Sequence, residues 1–287
     1  MCGRAGDLTP AVAFMIPEAP VPDGLPARVV LSVIIPIWQE EKVLLQSIPT
    51  ILGWPEVREV IVAAVNGETA WLPNVEAAGA RCVFADQPNR GRQLNLGARS
   101  AGGEWLLFHH TDTELTRPHV QSLAALSSRA EIVGGAFYRK FDARHPSMRW
   151  AERIERWHNR TFGALYGDQS LFVRRAHFEK LGGFADIPLM EDVEFSKRLR
   201  ASGPIALLDP PIASSPRKHI DRGAWRTTAQ NAALIFLYKL GISPRRLHSW
   251  YYGVRKTTST LTQLQPTHEN ETRTPADRTP AATDAPR

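Results

Sequence analysis

Cysteine is scarce: Cys2 and Cys82 are the only two in 287 residues. That excludes a disulfide framework and a thiolate metal cluster, and it points to a reducing, cytoplasmic compartment. Long apolar runs are missing as well. The best candidate, Ala232 to Tyr238, stops at Lys239, well short of the ~20 residues a membrane span needs. A signal-peptide layout is absent, since the apolar stretch Ala11 to Ile16 is short and ends at Pro17. No internal repeat is present.

Acid is short in only one region. The chain carries 35 Lys+Arg against 29 Asp+Glu, net +6, but the excess is local. Residues 29–194 hold 18 basic and 20 acidic side chains, whereas residues 195–256 hold 12 and 2. Something anionic is expected to be handled in that last part. No nucleic-acid recognition motif accompanies the charge, so no nucleic-acid partner is expected. The 43% apolar share is enough to fill a core.

Residues 1–28, with five prolines, and the Pro/Thr/Asp tail 266–287 read as flexible. Between them the pattern alternates. Leu31 to Pro36 is a continuous, largely β-branched run, the mark of a strand covered on both faces. Helical spacing follows over Glu40 to Leu52, then a strand Val57 to Val65 and a helix Ala70 to Ala78. A strand Arg81 to Ala85, a helix Arg92 to Ala101 and a strand Trp105 to Phe108 complete four β-α steps. Such steps predict a parallel sheet with helices on both sides, and a ligand crevice beyond the strands' carboxyl ends. Further on, the pattern predicts strands over Glu131–Phe141, Ser170–Val173 and Ile205–Leu208. Helices are predicted over Ser147–Phe162, Glu191–Ala201, Arg222–Leu240 and Pro244–Thr262.

Several clusters can carry chemistry. After the fourth strand, His110 and Asp112 share one side of an extended segment. They suit a divalent ion, Mg2+ or, given the imidazole, Mn2+; the other reading is a polar turn capping the next helix. Glu191-Asp192 opens a helix, either as acids favoured by its dipole or as a site containing a general base. Gly167-Asp168-Gln169 is a substrate loop or a plain turn. Arg90-Gly91-Arg92 at a helix start suits a phosphate. Arg217, Arg222 and Arg226 either neutralise a departing diphosphate or form a solvated basic face.

Taken in this order, the pieces resemble the family-2 glycosyltransferases of the GT-A fold. Ser32 to Pro36 followed by Glu40 resembles that family's opening strand and nucleotide-contacting turn. His110-Thr111-Asp112 resembles its Asp-x-Asp metal motif with the first acid replaced. Glu191-Asp192 is similar to its Glu-Asp pair, whose second member is the catalytic base. Arg90 to Asn95, His110 to Thr113, Gly167 to Gln169 and Gly182 to Asp192 resemble more closely a bacterial subgroup associated with arsenosugar biosynthesis or selenium/radical-SAM proteins. Two positions depart from the pattern: no acid follows strand two, where Ala63-Ala64-Val65-Asn66-Gly67 stands, and Trp38-Gln39 replaces an aromatic-Asn pair.

The resemblance implies an α/β GT-A domain over 29–265, with a mostly parallel central sheet, helices on both faces and a C-terminal helical segment. Residues 29–115 would be the nucleotide-sugar half and 116–265 the acceptor half. It implies an inverting transferase using a nucleotide-diphosphate sugar and a divalent metal held by Asp112 and His110. Asp192 would be the base, and Pro36, Glu40, Asn66, Arg92 and Asn95 would contact the donor. Asp168, Gln169 and Glu191 would contact the acceptor, a small molecule or a lipid-linked one. Arg217, Arg222 and Arg226 would stabilise the leaving group. A second class of function is a GT-A module that has lost catalysis and lies on a membrane. Its motive is the missing acid together with the basic, aromatic end around Trp225, Phe236, Tyr238, Arg245, Arg246 and Trp250.

Overall fold

The computed structural model describes residues 30–37, 41–66, 71–141, 165–214 and 224–263, together with Glu152, Arg153, Arg156 and Asn159. Glu40, Arg217, Arg222, both proline-rich ends and most of the expected helix 147–162 lie outside the described residues.

Strand β1 (Leu31–Pro36) shows why its run is continuous. Leu31, Val33 and Ile35 enter one core cluster and Ile34 enters the other, all fully buried. Ser32 is buried too; its hydroxyl donates to Glu59 at 2.6 Å and accepts from the Gly103 N–H at 2.9 Å. Helix α1 (Glu41–Leu52), β2 (Val57–Val65), α2 (Leu72–Ala77), β3 (Arg81–Ala85), α3 (Arg90–Ser100) and β4 (Trp105–Phe108) follow. β1 lies parallel between β2 and β4, and β3 lies outside β2. The chain therefore winds outward from β1 to β3, then returns past β1 to β4. The gap beyond the carboxyl ends of β1 and β4 is the switch point at which such sheets take ligands.

The second half is mixed. It runs β5 (Thr113–Glu114), α4 (Arg117–Ala125), β6 (Gly134–Phe141), β7 (Leu171–Arg174), α5 (Arg175–Lys180), α6 (Glu191–Ser202), β8 (Ile205–Ser214), α7 (Ala224–Lys239) and α8 (Pro244–Gln263). The sheet order is β3-β2-β1-β4-β7-β6-β8-β5. β7 is antiparallel to both β4 and β6, β6 is parallel to β8, and β5 is antiparallel to β8. Only His109 to Asp112 separate β4 from β5, although three strands lie between the two in the sheet. Four residues span roughly 18 Å at most, about the width of four strand spacings laid flat, so the sheet must curl to let β5 reach β8.

Helices cover both faces. Ile48 and Ile51 of α1, Val75 of α2, and Val120 and Leu123 of α4 belong to one cluster. Leu94 and Ala98 of α3, Phe178 of α5, and Phe195 and Leu199 of α6 belong to the other. The chain divides into two compact units, Met1–His248 and Ser249–Arg287. The second carries the remainder of α8, where the Tyr251 and Tyr252 rings meet edge-on with centroids 5.2 Å apart. Among the described residues no helix is long and apolar enough to cross a membrane.

Gly135 marks the tightest approach between strands. A Cβ there would overlap the Ala206 carbonyl oxygen of β8 and crowd the Phe172 ring at 2.7 Å. Gly135→Ala is expected to cost about 3 kcal/mol of stability, measured as a lower urea midpoint at unchanged slope. An unchanged midpoint would contradict this packing.

Candidate active site

A cleft opens at the switch point. Pro36 lines it from the end of β1, Arg90 and Leu94 from α3, Phe108 and His109 from the end of β4, Gly167 and Leu171 from beside β7, Phe184 from a loop and Asp192 from α6. The strand order thus brings residues far apart in sequence to one edge.

Two left-handed residues set up the acidic side of the cleft. Met190, at φ 69°, turns the chain into α6, and Ser170, at φ 49°, closes the 3-10 turn Gly167–Gln169. Neither is glycine, and such conformations cluster where a site over-determines them. Asp192 is half-buried. Its Oδ2 accepts from the Gly167 N–H at 2.7 Å and its Oδ1 from the Val193 N–H at 2.7 Å. Glu191 is buried; burial first, and then the Asp192 charge, push its carboxyl up to about 7, with Arg90 opposing them. The Arg90 Nε stands 3.6 Å from Glu191 Oε1. Burial works against the Arg90 charge, but Glu191, Asp192, Asp112 and Asp168 outweigh it and hold the guanidinium above its ordinary range.

Beyond β4, His110 Nδ1 and Asp112 Oδ1 lie 2.6 Å apart, and both side chains are partly exposed. An imidazole nitrogen and a carboxylate oxygen therefore meet at one point beside the cleft. That pair fits the protein's share of a divalent ion whose remaining ligands are phosphate oxygens and water. Among the described residues no cluster of three or more His, Cys, Asp or Glu could hold an ion alone. His109, by contrast, is buried and bonded to Ser170 Oγ at 2.9 Å. Burial and the neighbouring His110 lower it to about 3 against the pull of Asp112, so it is a neutral strut.

The other expected residues fall into two groups. Pro36 lines the cleft, and Asp168, next in sequence to the lining residue Gly167, is ion-paired with Arg139. Asn66 stands exposed at the end of β2 and donates to Asp86 Oδ1 at 3.3 Å, so an acid from the end of β3 stands beside strand two. Arg92, expected at the phosphate, is turned outward and grips Asp186 with two hydrogen bonds of 2.6 and 2.7 Å. Asn95, expected at the donor, spends both ends of its amide on the Phe184 backbone, each at 2.8 Å. With the helix-capping Asn89 on Asp186, they clamp the loop that leads into Glu191-Asp192 onto α3. Gln169, expected at the acceptor, is fully buried and accepts from the Tyr166 N–H of its own turn at 2.9 Å. Arg226 lies in α7. Asp86 is the residue that sequence reasoning passed over, while Arg90, expected only within a phosphate-binding tripeptide, lines the cleft itself. Two positions apart on a helix, Arg90 and Arg92 point to opposite sides, which only the packing of α3 decides.

A curled α/β sheet with a cleft at its switch point is the architecture of GT-A glycosyltransferases. A family model described as Glycosyl transferase family 2 matches residues 32–182, more than half of the chain, and the chain belongs to that family. No curated protein matches it in sequence. The fold is shared with a mannosyltransferase from Pyrobaculum calidifontis in complex with GDP-Man and Mn2+, at TM-score 0.56 and 16% identity over 79% of this chain and 70% of that one. It is shared also with glucosyl-3-phosphoglycerate synthase from Mycobacterium tuberculosis bound to Mn2+, UDP and glucosyl-3-phosphoglycerate, at 0.53 and 19% over 75% and 81%. S. aureus TarS 1-349 aligns at 0.51 and 17% over 65% of this chain, which spans 60% of that fragment.

Two of the buried titratable groups give opposite pH signatures. Glu191 holds its proton more tightly folded than unfolded, so its contribution is full below about 4.5 and is lost as pH rises to about 7. His109 contributes fully above about 6.5 and loses that contribution as pH falls to about 3. Glu191→Gln removes only the first. Between pH 5 and 7 the variant's unfolding free energy should therefore climb relative to wild type, as measured by urea titration at the two pH values. Parallel behaviour would refute a raised Glu191.

Proposed function

We propose that the chain transfers a sugar, with inversion, from a nucleotide-diphosphate donor to an acceptor hydroxyl, and that its motifs place it in the arsenosugar- or selenium/radical-SAM-associated bacterial subgroup. The observation that carries the reading is the meeting of Asp192 and Arg90 in one cleft at the sheet's switch point, with His110 and Asp112 paired just beyond β4. Asp192 is the base. Two backbone N–H groups hold its carboxylate in one orientation, ready to take the hydroxyl proton as the acceptor oxygen bonds to the anomeric carbon. The bond from that carbon to the diphosphate breaks in the same displacement. Asp112 and His110 would hold Mg2+ or Mn2+; when bound, the ion supplies positive charge to the leaving diphosphate. The Mn2+ in two of the similar structures supports this assignment. Arg217, Arg222 and Arg226 would stabilise the same leaving group. Pro36, Glu40 and the Asn66–Asp86 pair would contact the donor, and Asp168 the acceptor.

Peripheral contact with an anionic membrane, delivering a lipid-linked acceptor, has its own support. Phe236 and Leu240 are 61% and 64% exposed, one helical turn apart beside Lys239, in the part of the chain with 12 basic and 2 acidic side chains. Vesicles containing phosphatidylglycerol should sediment the protein, and Phe236→Ser with Leu240→Ser should release it. Equal sedimentation of the double variant would remove this surface from the proposal.

A panel of UDP- and GDP-sugars should contain one that raises the melting temperature only with Mn2+. Asp112→Asn should lose that metal-dependent increment. Asp192→Asn should cut turnover of the same donor about 1,000-fold while its donor affinity changes less than about threefold. Retained turnover would remove Asp192 from the mechanism.

A further inference from the structure

Four carboxylates from three segments bear electrostatically on one cation. Asp112 follows β4, Asp168 sits in the turn before β7, and Glu191 and Asp192 open α6; all four act on Arg90. Arg90 is not chelated by any of them. Its Nε is shut off from solvent without a hydrogen bond among the described residues, and the nearest carboxylate oxygen, on Glu191, is 3.6 Å away. The guanidinium instead lies against Gly167, where a Cβ would overlap Nη2 and stand 2.9 Å from Cζ. Gly167 is also the residue whose N–H binds Asp192. One side chain therefore braces both the turn that aims Asp192 and the residue that precedes it.

A cation in this place invites a second reading as a ligand of the donor's diphosphate. The surrounding charge argues against it, because a phosphate approaching Arg90 would meet four carboxylates as well. Arg92, one helical face away, shows what a committed ion pair looks like here, with its two bonds to Asp186.

We propose that Arg90 is a positioning residue of the transfer: braced on Gly167 between the acids, it holds Asp192 in the orientation that receives the acceptor's proton. This rests on the glycosyl-transfer reading. The charged groups facing Glu191 are Asp192 and Arg90; those facing Arg90 add Asp112, paired with His110, and Asp168, paired with Arg139.

The test compares Arg90→Gln, Arg90→Lys and Gly167→Ala with wild type, using whichever UDP- or GDP-sugar wild type turns over with Mn2+. Arg90→Gln should lower kcat about 100-fold with the donor KM changed less than about threefold. Arg90→Lys should recover part of that loss. Gly167→Ala keeps the cation but displaces it, and should lower kcat about tenfold. A donor KM that rises while kcat holds would overturn the proposal and make Arg90 a phosphate ligand. Unchanged kcat in both Arg90→Gln and Gly167→Ala would also overturn it. Should Arg90→Gln fail to fold, the other two variants carry the comparison. Should wild type turn over no nucleotide sugar, the donor reading fails separately, and Arg90 is judged by 13C carboxyl NMR of the unliganded protein. Losing the Arg90 charge should then raise the Glu191 midpoint by about one pH unit, whereas a fixed midpoint refutes the brace.

Discussion

Carboxylates gathered at one cleft mouth repel one another, and removing them from water sharpens the repulsion. Here the charges of Asp112, Asp168, Glu191 and Asp192 all bear on the Arg90 guanidinium, and Asp168 has Arg139 as a second partner. Much of the surrounding architecture serves this arrangement. Asn89, Arg92 and Asn95 on α3 pin the loop before α6, so the helix that carries two of the acids is anchored to the helix that carries Arg90. Arg198 adds a second anchor, pairing with Glu194 and donating to the Leu181 and Gly183 carbonyls. Gln93 binds the Ile37 and Ala63 carbonyls, tying α3 to the ends of β1 and β2. Helix α3 is thus less a phosphate cradle than the keel of the site.

Backbone strain is distributed to match. Met190 and Ser170 take left-handed conformations at the two bends that deliver Asp192 and its Gly167 partner. A glycine at either bend would relax the local cost, but it would also loosen the direction in which the chain leaves the bend. The structure keeps side chains there, both of them buried.

The parallel half was legible because burial on both faces leaves a plain mark: β1 and β4 fall where their apolar runs predict. Helix α5, only six residues long, is too short for periodicity to declare itself. Helix α4 opens Arg117-Pro118-His119 and is capped by Thr116 with His119 in place of the usual Glu or Gln, so its start resembles a polar turn. The acids of the site were readable from type and spacing, as was the closeness of His110 and Asp112. The duties of Arg90, Arg92, Asn95 and Gln169 were not, since each depends on which way a side chain leaves a helix or turn whose rotation is set by distant packing. No acid follows strand two, but Asp86 at the end of β3 stands beside Asn66, a neighbour that only the β2–β3 register reveals.

The four residues from His109 to Asp112 do two jobs at once. They span the curl between the middle of the sheet and its far edge, and they carry the pair suited to a metal. Whatever grips Asp112 also grips the strap that closes the sheet onto β8. A ligand held at Asp112 would thus be held by the same short segment that ties the middle of the sheet to its far seam.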